Sequence, residues 1–366
     1  MKLKYIDVLR GIAVLGVLMV HCSYFGSNFV FPKVIKSFFE NGAMGVQLFF
    51  FTSAFTLFLS MNNRIDNEKL PYINFFIRRF FRIAPIYYLG ICYYLLGIYL
   101  KGDVINIDFY DVISNFLFLN GFNPNWINSV VPGGWSIAVE MTFYCLLPIL
   151  FVKIKNTQQA FIFVINTLLI RSIFPLILNA FNLIGNDKLS QEYLYYYLPN
   201  QLPIFALGIL FYFIVKENYK ISISPILIVF SSFILISQFS NISILILPSH
   251  FIFGIAFLLL GIGMSKYEFK LLINPILIYI GKVSYSIYLV HFVVLFLLNK
   301  FKFVDYLYIS NTYSALLNFF IRFILLITIS TIFATILHKL IEYPMQKLGG
   351  KMIEKLNMNN QKTINT

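Results

Sequence analysis

Ten apolar runs, each near the length that crosses a bilayer and each closed by a short polar segment, constrain this 366-residue chain more than any other feature. They fall at 6–25, 43–60, 83–100, 135–152, 158–178, 201–215, 222–240, 243–264, 283–299 and 313–338, with 222–264 open to more than one division. A helix needs about 20 consecutive apolar residues to span the hydrocarbon. Only helices and closed barrels satisfy their own backbone polar groups there. With 59% hydrophobic residues, 12% charged residues and a mean hydropathy of +0.79, the chain has too little polar surface to enclose its apolar side chains in water. The predicted fold is all-α: a multi-pass transmembrane bundle of about ten helices. The run at 113–119 is too short to span and is expected at the interface.

Basic residues set the orientation. If the N-terminus is cytoplasmic, the inner segments carry 18 Lys and Arg, among them Arg64, Lys69, Arg79, Arg82, Lys266, Lys270, Lys347 and Lys351, against 6 outside. The reverse orientation breaks the positive-inside rule, so both termini are expected in the cytoplasm. The net charge of +13 is spread along the membrane borders and forms no basic patch with stacking aromatics, which argues against a nucleic-acid partner. Arg10 interrupts the first run and no small-residue cleavage site follows, so that run reads as a retained helix and not a leader. Cys22, Cys92 and Cys145 have no metal-ligand spacing and read as core thiols; no metal is expected. Residues 1–348 read as one membrane domain, and 349–366 as a polar cytoplasmic tail, disordered after Leu356.

Polar residues inside apolar runs are costly and mark function. Arg10 and His21 share the first run, eleven residues apart, which returns them to nearly one face about 16 Å apart along a helix. One end can hold an anion and the other can do proton chemistry. Counted from the inner boundary, His21 lies a few ångströms below the outer face. Glu140, entering from outside after Trp135, reaches about the same depth. His21 is therefore its nearest expected partner, the alternative being a carboxylate that neutralises Arg171 or Arg322. At the inner face Arg79 and Arg82, three apart, can form a fork for phosphate oxygens, or serve as ordinary membrane anchors. Ser284, Tyr288 and His291 recur on one helical face, either as a polar lining or as an interhelical hydrogen-bond seam.

These residues, taken in order, resemble the acyltransferase-3 family of integral-membrane O-acyltransferases. Asp7-Val-Leu-Arg10-Gly11 with His21 resembles its opening motif. Gly45-Val-Gln-Leu-Phe-Phe with Ser53-Ala-Phe55 is similar to its second-helix signature. Arg79-Phe-Phe-Arg82 matches its Arg-x-x-Arg motif, and Trp135-Ser136 with Glu140 its Trp-Ser-x-x-x-Glu segment. Gly281-Lys-Val-Ser284-Tyr285-Ser-Ile-Tyr288-Leu-Val-His291, then Glu342-Tyr-Pro344, follow its closing pattern. Two positions depart: Ala54 stands where glycine is usual, and Met141 replaces a frequent second acid, leaving Glu140 the one carboxylate of its segment.

The resemblance implies transfer of an acyl group, usually acetyl, from cytoplasmic acyl-CoA to a hydroxyl of an envelope polysaccharide, peptidoglycan or glycolipid. The setting it implies is a bacterial inner (plasma) membrane. It implies His21 as general base or, alternatively, transient acyl carrier, oriented by Glu140, with Arg10, Arg79 and Arg82 holding the donor phosphates. Asp7, Ser53, Trp135, Ser136, Ser284, Tyr285, Tyr288 and His291 are expected around the pocket. Ser136, Tyr285 or Tyr288 could stabilise an oxyanion. The rival reading is a transporter or glycolipid flippase, because buried charge also lines solute paths.

Overall fold

The structure, a computed structural model, describes residues 3–26, 29–101, 107–185, 187–218, 224–239 and 247–364. Its helices run in order α1 (Lys4–Ser23), α2 (Lys33–Glu40), α3 (Gly45–Asn62), α4 (Pro71–Lys101), α5 (Phe109–Phe116), α6 (Gly134–Lys153), α7 (Thr157–Ala180) and α8 (Lys188–Tyr196). They continue as α9 (Leu198–Lys216), α10 (Ser224–Phe239), α11 (Ser249–Lys266), α12 (Pro275–Lys282), α13 (Ser284–Lys300), α14 (Thr312–Leu337) and α15 (Tyr343–Ile364). Each of the ten apolar runs lies on a helix over its described residues, and α5 covers the start of the short run at 113–119. Among the described residues eight spans are long and apolar enough to cross a membrane, or nine if α12 and α13 count as one. The tenth candidate, α10, has 16 described residues, and its flanks at 219–223 and 240–246, Lys220 included, lie outside the described residues.

Three expectations change. The run at 283–299 is α13, but it does not stand alone as a span: α12 precedes it, and the two meet at 79° across Val283. Cys92 and Cys145 sit on the surface, and only Cys22 is buried. The segment expected as a disordered tail instead continues α15 as far as Ile364. Lys2 and the last two residues lie outside the described residues.

The chain divides into two compact units, Met1–Ser53 with Ile214–His338, and Ala54–Phe213 with Lys339–Thr366. In the first unit α1 is central, packing on α12, α13 and α14. Small residues allow that approach. A Cβ at Gly281 would overlap the Asp7 carbonyl, and one at Gly11 would stand 2.6 Å from the Leu277 carbonyl oxygen, so neither position has room for a side chain. The α1 backbone in turn packs against Gly45, where a Cβ would overlap the Ala13 carbonyl. α10 and α11 pair, with the Ser231 hydroxyl donating to the Ala256 carbonyl at 2.9 Å.

The second unit is built on aromatic contacts. Phe143 on α6 stacks on Phe205 of α9 at 4.0 Å, and Phe55 packs on Phe211 at 4.6 Å. Tyr87 on α4 donates to the Asn115 side chain at 2.9 Å, which satisfies two buried polar groups and fixes α5. By contrast α7 exposes Phe161, Ile162, Ile165, Leu169, Ile173 and Leu176, a continuous apolar face suited to lipid. α15 lies on α4, with Gly349 against Phe81.

Candidate functional site

α1 runs unbroken from Lys4 to Ser23, so Arg10 and His21 stand on one helix about three turns apart. His21 is half-buried near its end. Its ring centroid lies 4.4 Å from Phe292, 5.2 Å from His291 and 6.5 Å from Tyr24. Both Phe292 and His291 come from α13, which the bend at Val283 directs beside α1. His291 is fully buried. Its Nδ1 lies 2.5 Å from the Tyr288 carbonyl oxygen; a carbonyl only accepts, so Nδ1 carries the proton and Nε2 holds a lone pair. That Nε2 is buried with no hydrogen-bond partner among the described residues.

The other predicted α13 residues surround this point. Ser284 and Tyr288 are buried, Tyr285 is half-buried, and Tyr288 meets Phe49 of α3 edge-on at 6.2 Å. Ser53 is buried further along α3. Asp7 and Arg10 are half-buried in the first two turns of α1, where the Asp7 carbonyl faces Gly281. Beyond the His21 end of α1 a cavity of about 300 Å³ opens, lined in part by Ser23, Tyr24, Phe31, Lys36, Phe39 and Glu40. Lys36 and Glu40 form an exposed ion pair at 3.8 Å on its wall.

Arg322 of α14 anchors the same end. It is 4% exposed, and its guanidinium donates to the Cys22 carbonyl at 3.2 Å and the Val304 carbonyl at 2.6 Å, with Asp305 3.5 Å away. The charge is thus spent on the open carbonyl end of α1, one residue past His21, where a cation also complements the helix dipole. Gly26, at a left-handed φ of 102°, presses against it, and a Cβ there would meet the guanidinium.

In the second unit Glu140 on α6 accepts a hydrogen bond from the Tyr144 hydroxyl, one turn along, at 2.6 Å. The Arg79 guanidinium of α4 lies 5.9 Å from the Tyr144 ring centre and 5.8 Å from that of Phe75, within cation–π range. α4 begins early, at Pro71, so Arg78, Arg79 and Arg82 are helical, as the fork requires. Depth counting separated Arg79 from Glu140 by most of a membrane; the structure links them through one tyrosine. Arg171 donates to Asn200 at 2.8 Å and Arg322 is held as described, which assigns both to partners other than the Glu140 alternative. Trp135 is buried against Tyr196 at 4.4 Å. Ser136 donates back to the Gly133 carbonyl at 2.9 Å, completing the first turn of α6.

Arg78 differs from its neighbours. It donates twice to Glu68, at 2.8 and 3.0 Å, and Arg64 and Asn74 donate to the same carboxylate. Burial alone would raise the Glu68 pKa, but the bonds from Asn74, Arg78 and Arg64 outweigh it and hold the carboxyl below its ordinary range. This clasp joins the ends of α3 and α4. Among the described residues no group of three His, Cys, Asp or Glu side chains is placed to hold a metal.

Sequence reasoning did not give three residues here the places they take. Tyr144 had a signal, its i+4 spacing from Glu140. Arg322 had another, a single charge in a 26-residue apolar helix. Phe292 had none, since an aromatic beside a histidine in an apolar run looks like any core residue.

The acyltransferase-domain family model matches residues 3–339. The curated relatives include a "Putative O-acetyltransferase" of Staphylococcus aureus strain COL, 26% identical over 96% of this chain and 59% of its own length. They also include the O-acetyltransferase OatA of Staphylococcus aureus strain NCTC 8325, 25% identical over 94% of this chain and 57% of its own length. The chain therefore spans somewhat over half the length of these relatives. No solved structure matches it.

Proposed function

The chain belongs to the acyltransferase family, as a multi-pass membrane member, and from that premise we propose that it transfers an acetyl or other acyl group from acyl-CoA to a hydroxyl of an envelope polysaccharide, peptidoglycan or glycolipid. The observation that carries this is the single helix with a guanidinium near one end and an aromatic-walled imidazole near the other. A coenzyme A thioester has the same polarity, anionic phosphates at one end and a reactive carbonyl at the tip of a pantetheine arm. Arg10, at the start of that helix, holds the phosphate end of the donor, from the cytoplasmic side of the inner membrane, both termini lying on that side.

His21 is the general base. The acceptor oxygen attacks the thioester carbonyl while its proton passes to His21. The C–S bond then breaks, and the thiolate takes that proton from the imidazolium, leaving an O-acyl ester and free CoA thiol. The cavity beyond the His21 end of α1 suits a sugar as acceptor: aromatic walls at Tyr24, Phe31 and Phe39 stack on ring faces, and Glu40 and Lys36 bond hydroxyls. At about 300 Å³ it has the volume of a small ligand cleft. Glu140 is a further candidate for the reaction, its carboxylate held by the Tyr144 hydroxyl.

The test is release of free CoA thiol by the purified full chain in lipid nanodiscs, given acetyl-CoA and polysaccharide extracted from host envelopes. Wild type should release thiol only when the polysaccharide is present, and His21→Ala should lose at least about 100-fold in turnover. Wild-type turnover in His21→Ala defeats the assignment of the base. Movement of a lipid-linked sugar without thiol release favours a flippase.

A further inference from the structure

A buried imidazole nitrogen with a lone pair and no partner is uncommon, because buried polar atoms are nearly always bonded. His291 Nε2 is such an atom, inside a fully buried side chain whose other nitrogen is held by the Tyr288 carbonyl. The Nδ1 bond fixes the tautomer, so Nε2 can only accept. The His291 ring lies beside that of His21, with ring centroids 5.2 Å apart and planes inclined at 34°. Two imidazoles sharing an N–H···N bond of about 2.9 Å have centroids near 5 Å apart, so a small rotation of His21 closes the bond. Phe292 lies against both rings, at 4.4 and 4.2 Å, and limits the directions in which His21 can turn.

We infer that His291 is the positioning residue for His21, its Nε2 accepting the N–H of one His21 nitrogen so that the other presents its lone pair to the acceptor hydroxyl. This rests on the reading of His21 as base. It gives the orienting task, assigned from sequence to Glu140, to a neutral group from α13. A base oriented by a third group is the general arrangement for activating a hydroxyl. A neutral acceptor performs it without placing an anion beside the imidazole. When His21 takes the hydroxyl proton, the His291 lone pair faces the N–H of the resulting imidazolium. Such bonds are often open without substrate and tighten in the complex.

Two substitutions separate this role from a packing role. Asn at 291 can keep the donor that bonds the Tyr288 carbonyl but offers no acceptor at the ε position. Gln can place an amide oxygen near the ε position but does not reproduce the Nδ1 donor. If His291 positions His21, His291→Asn lowers kcat by about 10- to 100-fold with the KM for acetyl-CoA unchanged, and His291→Gln recovers part of that loss. A merely structural histidine predicts the opposite order. Full activity in His291→Asn, or a Gln variant no better than Asn, overturns the inference.

If neither variant folds, ¹⁵N spectra of the histidine-labelled wild-type chain decide instead, with the four histidines assigned by single substitution. One fixed His21 tautomer supports the bond, and a His21 ring averaging between tautomers refutes it. Loss of activity in His21→Ala beside a fully active His291→Asn sinks this inference alone. An active His21→Ala sinks the reading of the base beneath it.

Discussion

At the residue scale, the side chains that matter are those whose polar atoms face one another inside an apolar bundle, where no water compensates a lost partner. The Tyr144 hydroxyl and Glu140 make the clearest case. A bond of 2.6 Å from a phenol to a carboxylate is short and charge-assisted. Bonds to charged groups contribute about 1.5–3 kcal/mol. Tyr144→Phe removes the hydroxyl but keeps the ring that Arg79 lies against, so the fold should hold while Glu140 loses a donor. The expected result is a fall in turnover of about 10- to 100-fold with little change in thermal midpoint. Unchanged turnover would confine the bond to packing. Arg10, His21 and Glu140 were legible in the sequence because each is a polar residue inside an apolar run, and Arg79 because it stands three residues from Arg82 at the border of one. Their neighbours were not. A 3.6-residue period states which face a residue occupies and says nothing about which helix that face meets. Hence His21 was matched by depth to Glu140 and not to His291, the histidine found beside it.

Elements are set here by how closely backbones approach. α1 and α12 touch through Gly11 and Gly281, and neither tolerates a Cβ without movement of a backbone carbonyl. Gly281→Val should therefore separate the two helices and, because the bend at Val283 follows directly, displace His291 from His21. Overpacking of this kind costs about 1–3 kcal/mol or more. A lowered unfolding midpoint in detergent together with lost thiol release is expected, and a variant with wild-type stability would show that the contact is slack. The ten runs foretold the helices well, but not this bend, because it falls at the first residue of the run at 283–299, where the short helix α12 joins it. The α3–α4 junction makes a different prediction. The Glu68 pKa is lower in the folded chain than in the unfolded one, so its contribution is present above the ordinary carboxylate pKa and fades as pH falls through the lowered folded value. Amide protection factors at 63–74, corrected for the intrinsic pH dependence of exchange, should fall in acid, below the usual carboxylate range, relative to neutral pH. Glu68→Gln should show low protection at both pH values; protection that persists in that variant would assign the junction's order to the backbone alone.

For the whole molecule, the open quantity is parity, and it turns on one helix. α10 has 16 described residues, about 24 Å at 1.5 Å each, against roughly 30 Å of hydrocarbon. If α10 crosses, ten spans return the chain to its starting side, and Lys266, Lys270, Lys339, Lys347, Lys351, Lys355 and Lys362 all fall with the N-terminal lysines. If it does not, those seven change sides and the excess of inner cations nearly vanishes. Short-loop lysine and arginine bias sets orientation strongly enough that the first arrangement is the expected one. A cysteine-less background, with Cys22, Cys92 and Cys145 replaced by alanine, allows a direct measurement. A single cysteine at Tyr308, an exposed residue of the α13–α14 connection, should react with an impermeant maleimide added to cells whose envelope leaves the outer face of the membrane accessible. One at Glu268, between α11 and α12, should react only after the membrane is opened. Labelling of the Glu268 site in closed cells, with protection at Tyr308, would take α10 out of the membrane. It would also move the α12–α13 bend, and the two histidines beyond it, to the opposite orientation from the one a cytoplasmic donor requires.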